Sequence, residues 1–397
     1  MDRLNILQLF NPYEFYGGEE GSVCRIGDAL QINYNVEYLL SSTRTMKAMP
    51  VHQKLFWPVS IFNNKSAAKK LEQYQKIGKF DVWQIHNLFP ALSPVVYKKA
   101  FEWGIPIVHY LHSYRLGCTN GFLLNQETPC EKCIRGNFLP GLIHRSWRNS
   151  YVASGAMGAI LTYTRQLQVF EKAHHWVALS HFHKQKHVEM GIPAEKIAVI
   201  HHFLEPISPP PPPAQNGYAL FVGRLSQEKG VASLLEAWKI LNRPDRQLVI
   251  VGEGTELPIL KKKVKLLNLE NVRFVGFKKA AEQTELWAGA AFSVLPSIWP
   301  EPLGMVVLES WAKARPVVAH RIGGIPELVA EGETGFMADP QRPEDLAAAL
   351  ARAFDSPEET KAMGRAGLAR LQKEFNRQVW LEKIHLIYKT IPKLSSR

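Results

Sequence analysis

Short, nearly continuous apolar runs at Asn5–Phe10, Val36–Leu40, Val82–His86, Ile107–Leu111, Val177–Leu179 and Ile197–Ile200 punctuate the first half of the chain. Between them, apolar positions recur every three or four residues. The runs predict buried strands and the intervening stretches predict helices, one ending near Ile32 and another at Pro94–Trp103. The rhythm stops at Ser208-Pro209-Pro210-Pro211-Pro212-Pro213, a stiff polyproline segment that reads as a linker. It resumes with Ala219–Val222, a helix near Val231–Leu241, then Leu248–Val251, Val272–Val275, Phe292–Leu295 and Pro316–Ala319. Strands alternating with helices imply parallel sheets. The expectation is an α/β chain of two doubly wound, Rossmann-like domains, residues 1–205 and 218–379, joined by a Pro-rich linker at 206–217. Ligands of such sheets bind beyond the C-terminal strand ends, so two of them facing a central cleft would build one site there.

Composition narrows the partners. With 397 residues, 46% of them apolar, the chain has room for two ordinary cores. Forty-eight Lys and Arg against 36 Asp and Glu leave a formal charge of +12, which favours anionic ligands or surfaces. The start, Met1-Asp2-Arg3-Leu4, leads straight into the first strand, and no apolar run is long enough to span a membrane. A cytoplasmic location is expected. The four cysteines then read as reduced thiols or metal ligands, not as a disulfide frame.

The chemistry concentrates in the second half. In Pro300-Glu301-Pro302-Leu303-Gly304-Met305-Val306-Val307-Leu308-Glu309, two carboxylates flank a Pro-Leu-Gly step and an apolar run of helical spacing. Pro302 fits a first helical turn, which would put Glu301 at the lip of a helix and Glu309 about two turns inside it. The free N–H groups of such a helix start would seat a phosphate, and a nucleotide sugar is long enough to reach both acids. Upstream, Gly223-Arg224-Leu225-Ser226-Gln227-Glu228-Lys229-Gly230 follows a strand and opens a helix. Its guanidinium and ammonium are suited to a diphosphate.

Taken together these residues resemble the donor domain of retaining GT-B glycosyltransferases, in particular glycosyltransferase family 4. Gly223-Arg224 with Glu228-Lys229-Gly230, Val251-Gly252-Glu253-Gly254, Pro296-Ser297, the Glu301/Glu309 pair and Gly323-Gly324-Ile325-Pro326-Glu327 carry the resemblance. The first half joins it at Gly17-Gly18-Glu19, His86-Asn87 with Pro90 and Ser93-Pro94, and Leu111-His112-Ser113-Tyr114-Arg115. The resemblance implies a GT-B fold whose first domain binds the acceptor, whose second binds the donor, and whose C-terminal helix, at about 380–397, packs back on the first. It implies that Arg224 and Lys229 hold the donor diphosphate, and that Glu309 bonds the ribose. Glu301 would contact the transferred sugar, helped by N–H groups around Leu303, Gly304 and Met305. His112 would approach the reacting carbon, with Gly17 and Gly18 in the loop that closes over the diphosphate and Gly223 in the donor loop. Retention of configuration rests on the resemblance alone. No Asp-x-Asp occurs, so the two cations replace a metal, and no cofactor is required.

Other signals compete for a role. Cys118, Cys130 and Cys133 with His144 resemble a miniature zinc knuckle, set against the preferred reading of three reduced cysteines that stabilise a loop on the acceptor side. Cys24 reads as core. His174, His175, His181, His183 and His187 read as a polar helix face, although His183 and His187 have metal-ligand spacing. His202 stands where the family usually has Asn, which puts that hinge position's part in donor binding in doubt. Lys98, Lys99, Arg135, Arg145 and Arg148, accompanied by Trp147 and Tyr151, point to an anionic membrane surface at the inner face of the plasma membrane. The reading that follows is hexose transfer from a UDP-sugar, with GDP next, to a glycan or polyprenyl-pyrophosphate-linked acceptor in cell-surface polysaccharide synthesis. The alternatives are a non-catalytic basic glycan- or nucleic-acid-binding protein on the same fold, or a GT-B epimerase. No nucleic-acid module is present to favour the former.

Overall fold

The computed structural model describes residues 3–12, 18–41, 62, 64–89, 91–206, 210 and 217–392. Gly17, Pro90 and all of the 208–213 run except Pro210 lie outside them. The chain forms two units, one from Met1–Leu123, Cys130–Ile200 and Leu381–Arg397, the other from Leu124–Pro129 and His201–Trp380.

The first unit is built on β1 (Asn5–Phe10), β2 (Asn35–Leu40), β3 (Val82–Asn87) and β4 (Ile107–Tyr110). Its last strands are β7 (His175–Ala178) and β8 (Ile197–Val199); the short antiparallel pair β5 (Leu124–Asn125) and β6 (Thr128–Pro129), which precedes them in the chain, belongs to the second unit. The sheet order is β2-β1-β3-β4-β7-β8, with every pairing parallel. Because strand side chains alternate, Leu7, Leu9, Trp83, Ile85 and Ile107 share one face and meet Leu71, Val95, Val96 and Ala100 from the helices Lys65–Gly78 and Val95–Glu102. The opposite face carries Gln8, Gln84, His86 and Tyr110, all buried. Tyr388 of the helix Arg377–Tyr388 reaches that polar face by donating to Gln84.

The second unit repeats the plan with β9 (Tyr218–Val222), β10 (Leu248–Val251), β11 (Val272–Gly276), β12 (Ala290–Leu295), β13 (Val317–His320) and β14 (Gly335–Ala338), in the order β11-β10-β9-β12-β13-β14 and again all parallel. Leu220, Ile250 and Val294 are fully covered, as strands flanked by helices on both faces require, and their near-continuous apolar runs follow from that. β14 escapes the apolar pattern because Gly335-Phe336-Met337-Ala338 is short and only half bulky.

Three expectations are corrected. The helix after Glu301 begins at Met305, not at Pro302, because Gly304 takes a left-handed φ of 92° that a helix cannot continue through. Glu301 therefore lies on the connecting segment, and Glu309 is in the second turn of a short helix. Cys24 is exposed: in the helix Gly18–Leu30, Val23, Ile26, Gly27 and Leu30 form the inward stripe, and Cys24 falls outside it. His183 and His187 are fully buried, not a solvated face. Capped by Ser180, their helix His181–Glu189 turns this i, i+4 pair inward against Tyr114, with ring centroids 5.0 and 5.8 Å from that phenol.

Candidate functional site

In the second unit the sheet order reverses between β9 and β12, so the loops leaving these neighbouring strands diverge and open a crevice at their C-terminal ends. The β9 loop supplies Arg224 and Lys229, and the β12 loop supplies Ser297 and Glu301. Two glycines let the backbones approach. Gly230, at φ 68°, has no room for a Cβ, which would sit 1.8 Å from the Pro296 carbonyl oxygen. Gly323, at φ 62°, lies against the Glu301 backbone, where a Cβ would be 2.4 Å from its carbonyl oxygen. The Gly324 N–H donates to that same oxygen at 2.7 Å, and the Ile298 N–H donates to the Glu228 carbonyl at 3.1 Å. The Gly323-Gly324 motif thus holds the Glu301 loop from behind, while Gly230 locks it to the cation loop.

Each cation in this crevice faces a carboxylate. Lys229 Nζ donates to Glu301 Oε1 at 2.6 Å, and Ser297 Oγ donates to the same oxygen at 2.7 Å. Lys229 also lies 5.4 Å from the centre of the Trp299 ring. Arg224 donates through Nη2 to Glu228 Oε1 at 2.6 Å and through Nε to Ser226 Oγ at 3.1 Å, and Ser226 Oγ donates on to Glu228 Oε1. Burial alone would push the Glu228 carboxyl up, but the Arg224 guanidinium, the Ser226 hydroxyl and Lys229 hold it below the ordinary carboxylate range. Glu228 is buried whereas half of the Arg224 side chain is open, so the acid anchors a cation that still reaches outward. Leu303 and Gly304 are buried behind the segment, with Met305 and Glu309 partly open on the helix that follows. Below the loop, His320 Nδ1 lies 3.1 Å from the Ser297 carbonyl, and burial pushes its imidazole down to about 4.

The first unit places His112 just past β4. Its Nε2 lies 2.9 Å from His86 Nδ1, and the two rings are 5.2 Å apart. Burial pushes the His112 imidazole down to about 3, so the ring is neutral at physiological pH. Gly18 begins the first helix, with nothing within 4 Å of where its Cβ would be.

The structure therefore gathers Gly223, Arg224, Lys229, Glu301, Leu303, Gly304, Met305 and Glu309 in the second unit and sets His112 and Gly18 in the first. Among the described residues no group of three His, Cys, Asp or Glu side chains could hold an ion, and this includes Cys118, Cys130, Cys133 and His144. Cys118 instead donates to Asn120 Oδ1 at 3.0 Å, and Cys133 packs with Phe138, Met157 and Ile160, where burial pushes its thiol up to about 11. Sequence reasoning missed Glu228 as the anchor of Arg224, Ser297 as a partner of Glu301, and His86 as the partner of His112. All three lie within motifs it quoted; the first two contacts span four residues and show only once burial is known, whereas His86 and His112 come from different strands. No helix among the described residues is long and apolar enough to cross a membrane.

Comparison with known proteins agrees with this layout. Residues 207–370 match the model of glycosyl transferases group 1, and residues 17–206 match that of glycosyltransferase family 4. A glycogen synthase of Mycobacterium tuberculosis is 38% identical over 162 residues, 40% of this chain and 39% of that protein. The match spans about two-fifths of the length of such curated relatives. Among solved structures, Anabaena Alr3699/HepE in complex with UDP-glucose superposes with a TM-score of 0.68 at 20% identity over all of both chains. Sucrose-phosphate synthase from Thermosynechococcus elongatus gives 0.75 at 20% identity over 98% of each chain. With a doubly wound parallel sheet in each unit and the two models abutting across nearly the whole sequence, the chain belongs to glycosyltransferase family 4, the group 1 glycosyltransferases.

Proposed function

We propose that the chain transfers a hexose-type sugar from a nucleoside diphosphate donor, a UDP-sugar before a GDP-sugar, to a glycan or lipid-linked glycan acceptor, with retention of configuration. One observation carries the reading: two cations and two buried carboxylates converge at the β9/β12 crevice, held there by glycines that fix both loops. As the anomeric C–O bond breaks, negative charge builds on the diphosphate and positive charge on the sugar ring. Arg224 and Lys229 stabilise the first, and a preorganised donor of this kind contributes about 3 kcal/mol. Glu301 and Ser297 bond the sugar hydroxyls, Glu309 bonds the ribose, and His112 borders the reacting carbon. The acceptor oxygen bonds to the same face of that carbon and gives its proton to the departing phosphate oxygen, so no enzymic nucleophile and no metal is required. UDP is favoured because the similar HepE structure holds UDP-glucose. Donor turnover by His112→Ala, Lys229→Ala and Glu309→Ala tests the assignment. Each is expected to lose at least about tenfold in kcat/KM, the effect of one lost transition-state or ribose contact. Wild-type turnover retained by all three would overturn it.

A membrane-borne acceptor gains support from one surface. Leu139 and Ile143 of the helix Leu139–Ile143, and Tyr151 and Val152 at the start of the helix Tyr151–Gln166, are exposed, Val152 by 82%. Arg148 lies over Trp147 and Arg145 over Tyr151 at 5.0 and 5.5 Å, so guanidinium groups rim the apolar side chains as an anionic bilayer would require. Binding to acidic vesicles, lost with Val152→Asp and absent on neutral ones, is the expected result. Equal sedimentation with both vesicle types would refute it.

A further inference from the structure

A buried polar stripe crosses one face of the first unit's sheet. Gln8 and Gln84 are paired directly across β1 and β3, and period two places His86 on the same face. None of the three is more than 3% exposed, so an unmatched polar atom there costs stability, and of their side-chain nitrogens and oxygens only Gln8 Nε2 lacks a partner. Tyr388 donates to Gln84 Oε1. The Gln84 amide lies 3.0 Å from His86 Nε2, which is also 2.9 Å from Gln8 Oε1. His86 Nδ1 then meets His112 Nε2 at 2.9 Å. The Tyr110 ring stacks on His86 at 5.1 Å and prevents it from tilting out of line.

Two imidazole nitrogens at this distance share one proton. If His86 carries its proton on Nε2, its Nδ1 accepts and His112 must donate from Nε2. If the Gln84 amide donates to Nε2, the His86 proton sits on Nδ1 and His112 must accept there and carry its own proton on Nδ1; a bond to Gln8 Oε1 needs the proton on Nε2 instead. The amides beneath His86 thus determine which tautomer His112 presents on its other nitrogen.

We propose that Tyr388, Gln84 and His86 form a positioning relay in which the C-terminal helix fixes the tautomer and ring orientation of His112. This rests on the assignment of His112 to the donor side, which the relay deepens. The C-terminal helix then acts in turnover as well as in packing. Tyr34 provides a contrast. Its hydroxyl meets His385 Nδ1 at 2.5 Å and its ring packs on Tyr388 at 5.1 Å, so it anchors the same helix without touching the glutamines.

The test measures Tyr388→Phe, Gln84→Leu and Tyr34→Phe in the full-length protein by two readouts. Long-range 1H–15N correlation of the imidazoles reports the His112 tautomer directly and needs no substrate. Turnover of a UDP-sugar separates kcat from KM. The relay predicts a changed His112 tautomer in Tyr388→Phe and Gln84→Leu, with kcat down about tenfold and donor KM held within twofold, while Tyr34→Phe changes neither. An unchanged tautomer in folded Tyr388→Phe and Gln84→Leu would overturn the relay whatever the kinetics. A changed tautomer with wild-type kcat, in a protein where His112→Ala also keeps wild-type kcat, would leave the relay standing and remove His112 from the chemistry. The same changed tautomer and unchanged kcat where His112→Ala is impaired would overturn the relay's part in turnover.

Discussion

Replacing Lys229 with methionine should destabilise the second unit more than replacing Glu301 with glutamine. The two side chains share a 2.6 Å ion pair, but Lys229 is 22% exposed and Glu301 only 6%. Lys229→Met keeps the volume and leaves a buried carboxylate whose remaining bond is the 2.7 Å one from Ser297. Stranding one partner of a buried pair costs 3–5 kcal/mol, and the residual opening together with the Ser297 bond reduces this to about 2–3 kcal/mol. Glu301→Gln keeps an oxygen for both donors and leaves an ammonium with a path to water, so its cost is about 1 kcal/mol. For a unit of this size that difference corresponds to a Tm separation of about 3–8 °C. Urea melts of the two single variants and of Lys229→Met/Glu301→Gln give the coupling, which should reach at least about 1 kcal/mol. Equal costs, or a double variant whose loss is the sum of the singles, would refute the reasoning that Glu301 is the stranded partner.

Other consequences follow from the same contacts. Gly323→Ala must place a methyl 2.4 Å from the Glu301 carbonyl oxygen at a φ of 62°, and is expected to cost about 2 kcal/mol in thermal melts and to reduce donor turnover more than tenfold. Burial pushes His187 and His320 down to about 4, so the unfolded chain binds their protons first as pH falls. Both stabilise the fold fully above about pH 6.5 and lose that contribution as pH drops toward 4, by at most about 2 kcal/mol each at pH 5. Melts across that window should steepen accordingly, and His187→Gln should flatten the slope. Since Arg224 and Lys229 are assigned the charge of the leaving group, treatment with EDTA should leave UDP-sugar turnover within twofold of its untreated value.

Much of this was legible because the features were local. Parallel strands covered on both faces wrote continuous apolar runs, and the glycine-punctuated loops after β9 and β12 carried the cations and acids in order. What was hidden depended on contacts between distant segments or on a single dihedral. Pro302 looked like a helix start because its own geometry permits one, but the left-handed Gly304 two residues on decides where the helix begins. His183 and His187 are polar by type, yet the inward turn of their helix against Tyr114 buries them. The pairing of Glu228 with Arg224 was four residues away and missed for a different reason: acidic residues in a cation loop read as solvated until burial shows otherwise. The His86–His112 contact joins the ends of two strands, and strand order is not written in either motif.

Donor binding at the β9/β12 crevice is measured by saturation-transfer NMR of the purified protein against UDP-, GDP-, ADP- and dTDP-sugars, repeated on Glu309→Ala. Selective saturation of one donor, UDP-linked first, is expected, with the ribose signals weakened by the substitution. Absence of saturation from every donor in a folded protein, or donor saturation that Glu309→Ala leaves unchanged, would contradict it.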